Sequence, residues 1–225
     1  MADERAERSL SASGPVEGGR AICGARLIGL TGGIACGKSA VSRSLASRGA
    51  LIVDADLIAR DVVAPHSEGL KSIVARWGED LLTSEGALDR AKLGELVFSD
   101  PSARATLDQL LHPLIATESA RRLQSALQRV PPVPLVVYDA ALLVEVGRAE
   151  HFRPLVVVYS AREQQIERVV RRDQLSYEEA SRRVDAQMPA SEKAQHADWL
   201  IVNDVEGVNS LEPAIDALWE ALTSS

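Results

Sequence analysis

The 225-residue chain is 46% hydrophobic, carries a net charge of −7 and holds two cysteines. That composition suits one core domain with an inserted subdomain and argues against a nucleic-acid-binding surface. Cys23 and Cys36 form no disulfide framework, no apolar run is long enough to span a bilayer, and the acidic start lacks a secretory signal. The expectation is a cytoplasmic chain, a monomer or weak oligomer, with neither nucleic acid nor membrane as partner.

Residues 1–24 are small, polar and glycine-containing, and are expected to form a disordered tail. Leu27–Thr31 then reads as a short buried strand. The segment Gly32-Gly33-Ile34-Ala35-Cys36-Gly37-Lys38-Ser39 fits G-x-x-x-x-G-K-[ST] without a mismatch, and Ala40–Ala46 reads as the helix after it. A strand passing through a glycine turn into a helix N-terminus aims backbone N–H groups at one point. The helix dipole adds positive potential there, so a polyphosphate binds. The nucleotide-binding set is Gly33, Ile34, Ala35, Cys36, Gly37, Lys38, Ser39 and Ala40. Lys38 would reach the β- and γ-phosphates, and the Ser39 hydroxyl would hold Mg²⁺. The motif alone does not separate kinases, GTPases and ATPases.

Ala50–Val53, Pro134–Tyr138, Leu155–Tyr159 and Trp199–Val202 are short apolar runs rich in β-branched residues, as strands buried on both faces should be. With Leu27–Thr31 they predict an α/β fold, a five-stranded parallel sheet with helices on both faces. Asp54-Ala55-Asp56 follows the second strand directly. Ligands of open parallel sheets bind beyond the carboxyl ends of the strands. Two carboxylates there can orient an acceptor hydroxyl and a hydrated Mg²⁺, and one of them can equally cap the helix that begins there.

Residues 63–132 contain no good strand and read as a helical insert: 69–77, 89–98, and a long helix from Pro101 towards Gln128 that starts on the Asp100-Pro101 signal. Such an insert binds a second substrate or serves as a stabilising cap. The core is then 25–62 with 133–225. The stretch 161–187 is helical and rich in arginine: Arg162, Arg168, Arg171, Arg172, Arg182 and Arg183. It reads either as a solvated helix pair or, over about 165–195, as a lid that covers phosphates.

Further pieces complete a pattern: Ala59-Arg60, His112-Pro113-Leu114-Ile115, Asp139 to Glu145, Gln165-Ile166-Glu167-Arg168, the Gln187 region, and Ala197-Asp198 with Asn203. In this order and spacing the chain resembles the dephospho-coenzyme A kinase family from about Leu27 to Asn203. The resemblance implies a P-loop kinase core, a coenzyme-binding insert and an arginine lid. It implies transfer of phosphate from ATP, with Mg²⁺, to the ribose 3′-hydroxyl of dephospho-CoA. Asp56 matches the family's general base. Asp54, Arg60, His112 and Pro113 match the substrate site. Asp139 matches an acid that supports Mg²⁺ through water. Arg172, with Arg171 and Arg168 nearby, matches the lid arginines on the transferring phosphates, and Asn203 a position near the adenine. The chain departs from the family pattern at Ala35 and Cys36, where glycine and serine are usual, and at Ala141 and Val144, where a proline and an aromatic are usual.

Two other readings compete. One is another small-molecule P-loop kinase, acting on a nucleoside or sugar acid. The second is a GTPase switch, which would need an N-K-x-D signature that Asn203-Asp204-Val205-Glu206 does not supply. Cys36 has two readings of its own. A helix N-terminus and Lys38 nearby favour a reactive thiolate, whereas a small inert residue standing in for serine needs no reactivity.

Overall fold

A computed structural model describes residues 21–22, 25–204 and 211–224. Strand β1 (Ala21–Ile22) runs antiparallel to β2 (Ala25–Gly32), with Ala21 opposite Arg26. The expected tail of 1–24 otherwise lies outside the described residues, Cys23 included. Two backbone pairings thus order a piece of the chain that carries no apolar periodicity of its own.

Helix α1 (Lys38–Ser47) follows β2, then β3 (Leu51–Asp54) and α2 (Ala55–Asp61). Helices α3 (Glu68–Trp77), α4 (Arg90–Ser99) and α5 (Pro101–Leu127) fill the long gap before β4 (Leu135–Asp139) and β5 (Leu155–Tyr159). Helices α6 (Arg162–Asp173), α7 (Tyr177–Asp185) and α8 (Ala190–Ala194) precede β6 (Trp199–Val202), and α9 (Glu212–Thr223) ends the described chain. The strand order is β3-β4-β2-β5-β6, a five-stranded parallel sheet to which β1 adds an antiparallel edge piece. Every residue of β4 is buried, which is why it reads as an unbroken apolar run rather than an alternating one.

The chain divides into two compact units, 1–52 with 126–225, and 53–125. In the first, Ile28, Leu30, Val137, Val156 and Val158 of the sheet pack with Val41 and Leu45 of α1 and Ile215 and Leu218 of α9. Arg48 ties the same two helices together by bonding Glu212 and Asp216. A separate cluster joins Ile166 and Val169 of α6 to Ala180 and Val184 of α7, with Ile34 and Ala35 packed against it.

The second unit has its own core of Val63, Leu70, Ile73, Leu81, Leu88 and Leu93. Its helices begin where side-chain caps allow: Ser67 Oγ accepts from Leu70 N at 3.2 Å, and Asp89 from Ala91 N and Lys92 N, both at 3.1 Å. This unit starts ten residues before the insert read from sequence, because α2 and the end of β3 belong with it. Helix α5 continues through Pro113, which has no N–H to give the preceding turn.

Candidate active site

The loop between β2 and α1 is shaped at its backbone. Gly37 has φ +99 and caps α1 without a side-chain hydrogen bond, so no side chain occupies the positive end of that helix, and Ala40 N–H donates to Gly37 O at 2.9 Å. Ala35 takes φ +56, a left-handed conformation that disfavours an L side chain by about 1 kcal/mol. The chain around it holds that conformation by capturing three successive carbonyls. Gln165 Nε2 donates to Ile34 O at 2.8 Å, Arg168 Nη1 to Ala35 O at 3.3 Å, and Asn203 Nδ2 to Cys36 O at 2.8 Å. Carbonyls drawn outward leave the concave side of such a turn to N–H groups, which is how a backbone nest binds phosphate.

Among the amides expected to bind nucleotide, Ile34 N–H donates to Gln187 Oε1 at 2.8 Å, Cys36 N–H to Gly33 O at 3.2 Å and Ala40 N–H to Gly37 O at 2.9 Å. Asn203, expected near the adenine, has its amide buried against the loop, where a Cβ on Gly37 would collide with it. Gly37 is therefore fixed twice, by its positive φ and by this close approach.

Lys38 Nζ bonds Asp139 Oδ1 at the end of β4, and Asp139 is only 2% exposed. Thr31 Oγ1 donates to Ala141 O at 3.0 Å, and Lys193 Nζ donates to the same carbonyl at 2.8 Å. Lys193 is fully buried and forms an ion pair with Glu145 Oε1 at 2.7 Å. Ser39 is exposed in the first turn of α1. Cys36 is buried, and loss of solvation raises its thiol pKa further than Lys38 and Lys193 lower it. Burial thus favours the inert reading, with Cys36 packed as a small core residue.

The arginine at the loop is Arg168. Besides Ala35 O it bonds Ser160 Oγ at 3.1 Å, Gln164 Oε1 at 3.1 Å and Asn203 O at 2.8 Å. Arg172 is held elsewhere: it grips Asp173 with Nε at 2.7 Å and Nη2 at 3.0 Å, while Arg183 reaches the same carboxylate at 3.1 Å. Those two cations, Arg172 foremost, hold the Asp173 carboxyl below its ordinary range.

Within the second unit, Asp54 Oδ1 accepts from Asp56 N at 2.8 Å and Leu57 N at 3.0 Å. It is the N-cap of α2, so the capping reading accounts for the first aspartate of the pair. Asp56 and Arg60 are exposed and four residues apart on α2, hence on one face. His112 is exposed on α5, with Nε2 3.9 Å from Asp108 Oδ1.

A model of the dephospho-CoA kinase family matches residues 26–209. The chain belongs to the dephospho-CoA kinase family. It is therefore a P-loop phosphotransferase, and the GTPase reading is excluded. The dephospho-CoA kinase of Geobacter sulfurreducens is 46% identical over 193 residues, covering 86% of this chain and 96% of that protein. That of Frankia casuarinae is 42% identical, covering 87% and 82%. Among solved structures, a Thermus thermophilus protein aligns at TM-score 0.73 and 34% identity over 88% of this chain and 97% of its own. The dephospho-CoA kinase from Campylobacter jejuni aligns at 0.65 and 29%, over 86% and 96%.

Sequence reasoning gave no role to Gln165, Gln187 or Lys193. The two glutamines stood in segments that carry the dephospho-CoA kinase resemblance, a signal without a contact attached. Lys193 gave no signal of its own, since its stretch Ser191-Glu192-Lys193 stands only at the end of the segment read as a lid.

Proposed function

We propose that this chain moves the γ-phosphoryl group of ATP onto the ribose 3′-hydroxyl of dephospho-CoA, with Asp56 as the general base. The hydroxyl oxygen attacks phosphorus, its proton passes to the Asp56 carboxylate, and ADP departs. The family match over residues 26–209, joined to a loop whose carbonyls are drawn outward, carries this reading. Lys38 places its ammonium on the β- and γ-phosphates when these compete with Asp139. Arg172 exchanges Asp173 for the transferring phosphoryl group. Arg60 on α2 and the His112-Pro113 pair on α5 bind the coenzyme. Asn203 acts on the nucleotide through the loop that it braces.

The donor set suits Mg²⁺: a hydroxyl at Ser39 and a carboxylate at Asp139 are hard oxygen ligands. Ser39 would hold the ion directly and Asp139 through water, and bound there Mg²⁺ would neutralise charge on the β- and γ-phosphates.

A substrate panel tests the reading. With ATP and Mg²⁺, dephospho-CoA should turn over far faster than nucleosides or sugar acids, and GTP should be a poor donor. A nucleoside or sugar acid turned over faster than dephospho-CoA overturns it in favour of the other small-molecule kinase.

A further inference from the structure

We infer that Gln165 and Gln187 are positioning residues that set the nucleotide loop by gripping both polar groups of one residue, Ile34, with opposite polarity. Ile34 lies at the apex of the loop, just before Ala35 at φ +56. Its carbonyl accepts from Gln165 Nε2 and its N–H donates to Gln187 Oε1, each at 2.8 Å. The backbone fixes which end of each amide is used: only the NH₂ of Gln165 can meet a carbonyl, and only the oxygen of Gln187 can meet an N–H.

Neither contact is a loose surface bond. Gln165 is 3% exposed on α6, and a Cβ on Gly33 would collide with its amide nitrogen, so Gly33 leaves room for this clamp. Gln187 follows α7 and, with Gly33, Gln165 and Met188, lines a cleft of about 500 Å³. Ile34 and Ala35 also pack against the cluster shared by α6 and α7. The loop therefore takes its conformation from the arginine-bearing helices. Release of either glutamine frees one of the two peptide units that meet at Ile34 to rotate, and the phosphate-facing amides after it lose their common aim.

The inference rests on the family's use of ATP, so the readout is the equilibrium affinity for ATP–Mg²⁺, which needs neither the acceptor nor Asp56. The variants are Gln187→Met, Gln187→Glu and Gln165→Met. Both methionines leave a peptide group without its partner and should weaken ATP binding about tenfold. Gln187→Glu keeps the acceptor and should stay within about threefold of wild type, although its charge opposes the phosphates. Turnover with saturating ATP should change less than affinity in all three.

Gln187→Glu no better than Gln187→Met overturns the assigned polarity, and methionine variants that bind ATP like wild type overturn the clamp. If Gln165→Met does not fold, the two variants at the half-buried position 187 still decide. Wild type that fails to bind ATP sinks the functional reading together with this one. Wild type that binds ATP while the 187 variants match each other sinks this one alone.

Discussion

The nucleotide loop and the acceptor-side residues serve two halves of one proposed reaction, yet they are built in opposite ways. The loop is braced from outside: three successive carbonyls and one N–H are held by side chains from α6, from the segment after α7 and from the segment after β6. Asp56, Arg60 and His112 stand exposed on α2 and α5, within a unit whose helices bury leucine, isoleucine and valine. A site made of backbone amides has to be fixed by tertiary contacts, because the backbone carries no charge to spare. A site made of charged side chains needs only a helix to stand on. Substitutions in the first should therefore disturb ATP binding and stability together, and substitutions in the second should disturb turnover or coenzyme binding while ATP affinity and stability hold.

The largest expected effect comes from Asp56→Asn, which keeps the shape and removes the base. Turnover should fall by about 10²–10⁴ while melting temperature and ATP affinity hold. A loss of ATP affinity as large as the loss of turnover would erase the contrast between the two regions.

Lys38→Ala belongs to the other region and should act on both properties. It removes a cation from the phosphates and takes from buried Asp139 the ammonium bonded to it. Breaking a buried pair of this kind costs about 3 kcal/mol. Thermal denaturation beside ATP kinetics checks this. A variant with the wild-type melting temperature would show that the pair does not support the loop.

A smaller effect sharpens the picture of the second unit. Glu118 on α5 has its pKa lowered to about 2 by hydrogen bonds from Arg121 and Arg122. A folded pKa depressed below the ordinary 4.5 means stability that is present above that pH and lost as the pH falls towards about 2. The difference in denaturant midpoint between wild type and Glu118→Gln should be present at neutral pH and disappear at the acid end. A difference independent of pH would contradict the ion pairs as its source.

The smallest effect is at Cys36. A buried thiol with a raised pKa should resist alkylation in the native state, and Cys36→Ser should change activity little. Rapid inactivation that ATP prevents would restore the thiolate reading.

Much of this contrast was open to sequence reasoning, and for uneven reasons. Strands buried on both faces announce themselves as apolar runs, so β5 and β6 were bounded to the residue and β3 and β4 to within one. The loop announces itself because its glycines, Lys38 and Ser39 are demanded by phosphate chemistry. What holds the loop did not show. Gln165, Arg168, Gln187 and Asn203 act through side-chain bonds to backbone more than a hundred residues away, and no local pattern encodes such a bond. Asp54 was legible as a cap or a substrate-site carboxylate, and its capping bonds to Asp56 N and Leu57 N are seen. Strand β1 was missed because two residues offer no periodicity, and Lys193 because a lysine in a short polar stretch gives no sign of complete burial.

The most direct measurement is phosphorus NMR of the product made from ATP–Mg²⁺ and dephospho-CoA. The account predicts one new phosphomonoester on the ribose 3′-oxygen, formed in step with ADP, and neither signal with Asp56→Asn on the same timescale. ATP consumed without that phosphomonoester, or the product formed at the wild-type rate by Asp56→Asn, would contradict it.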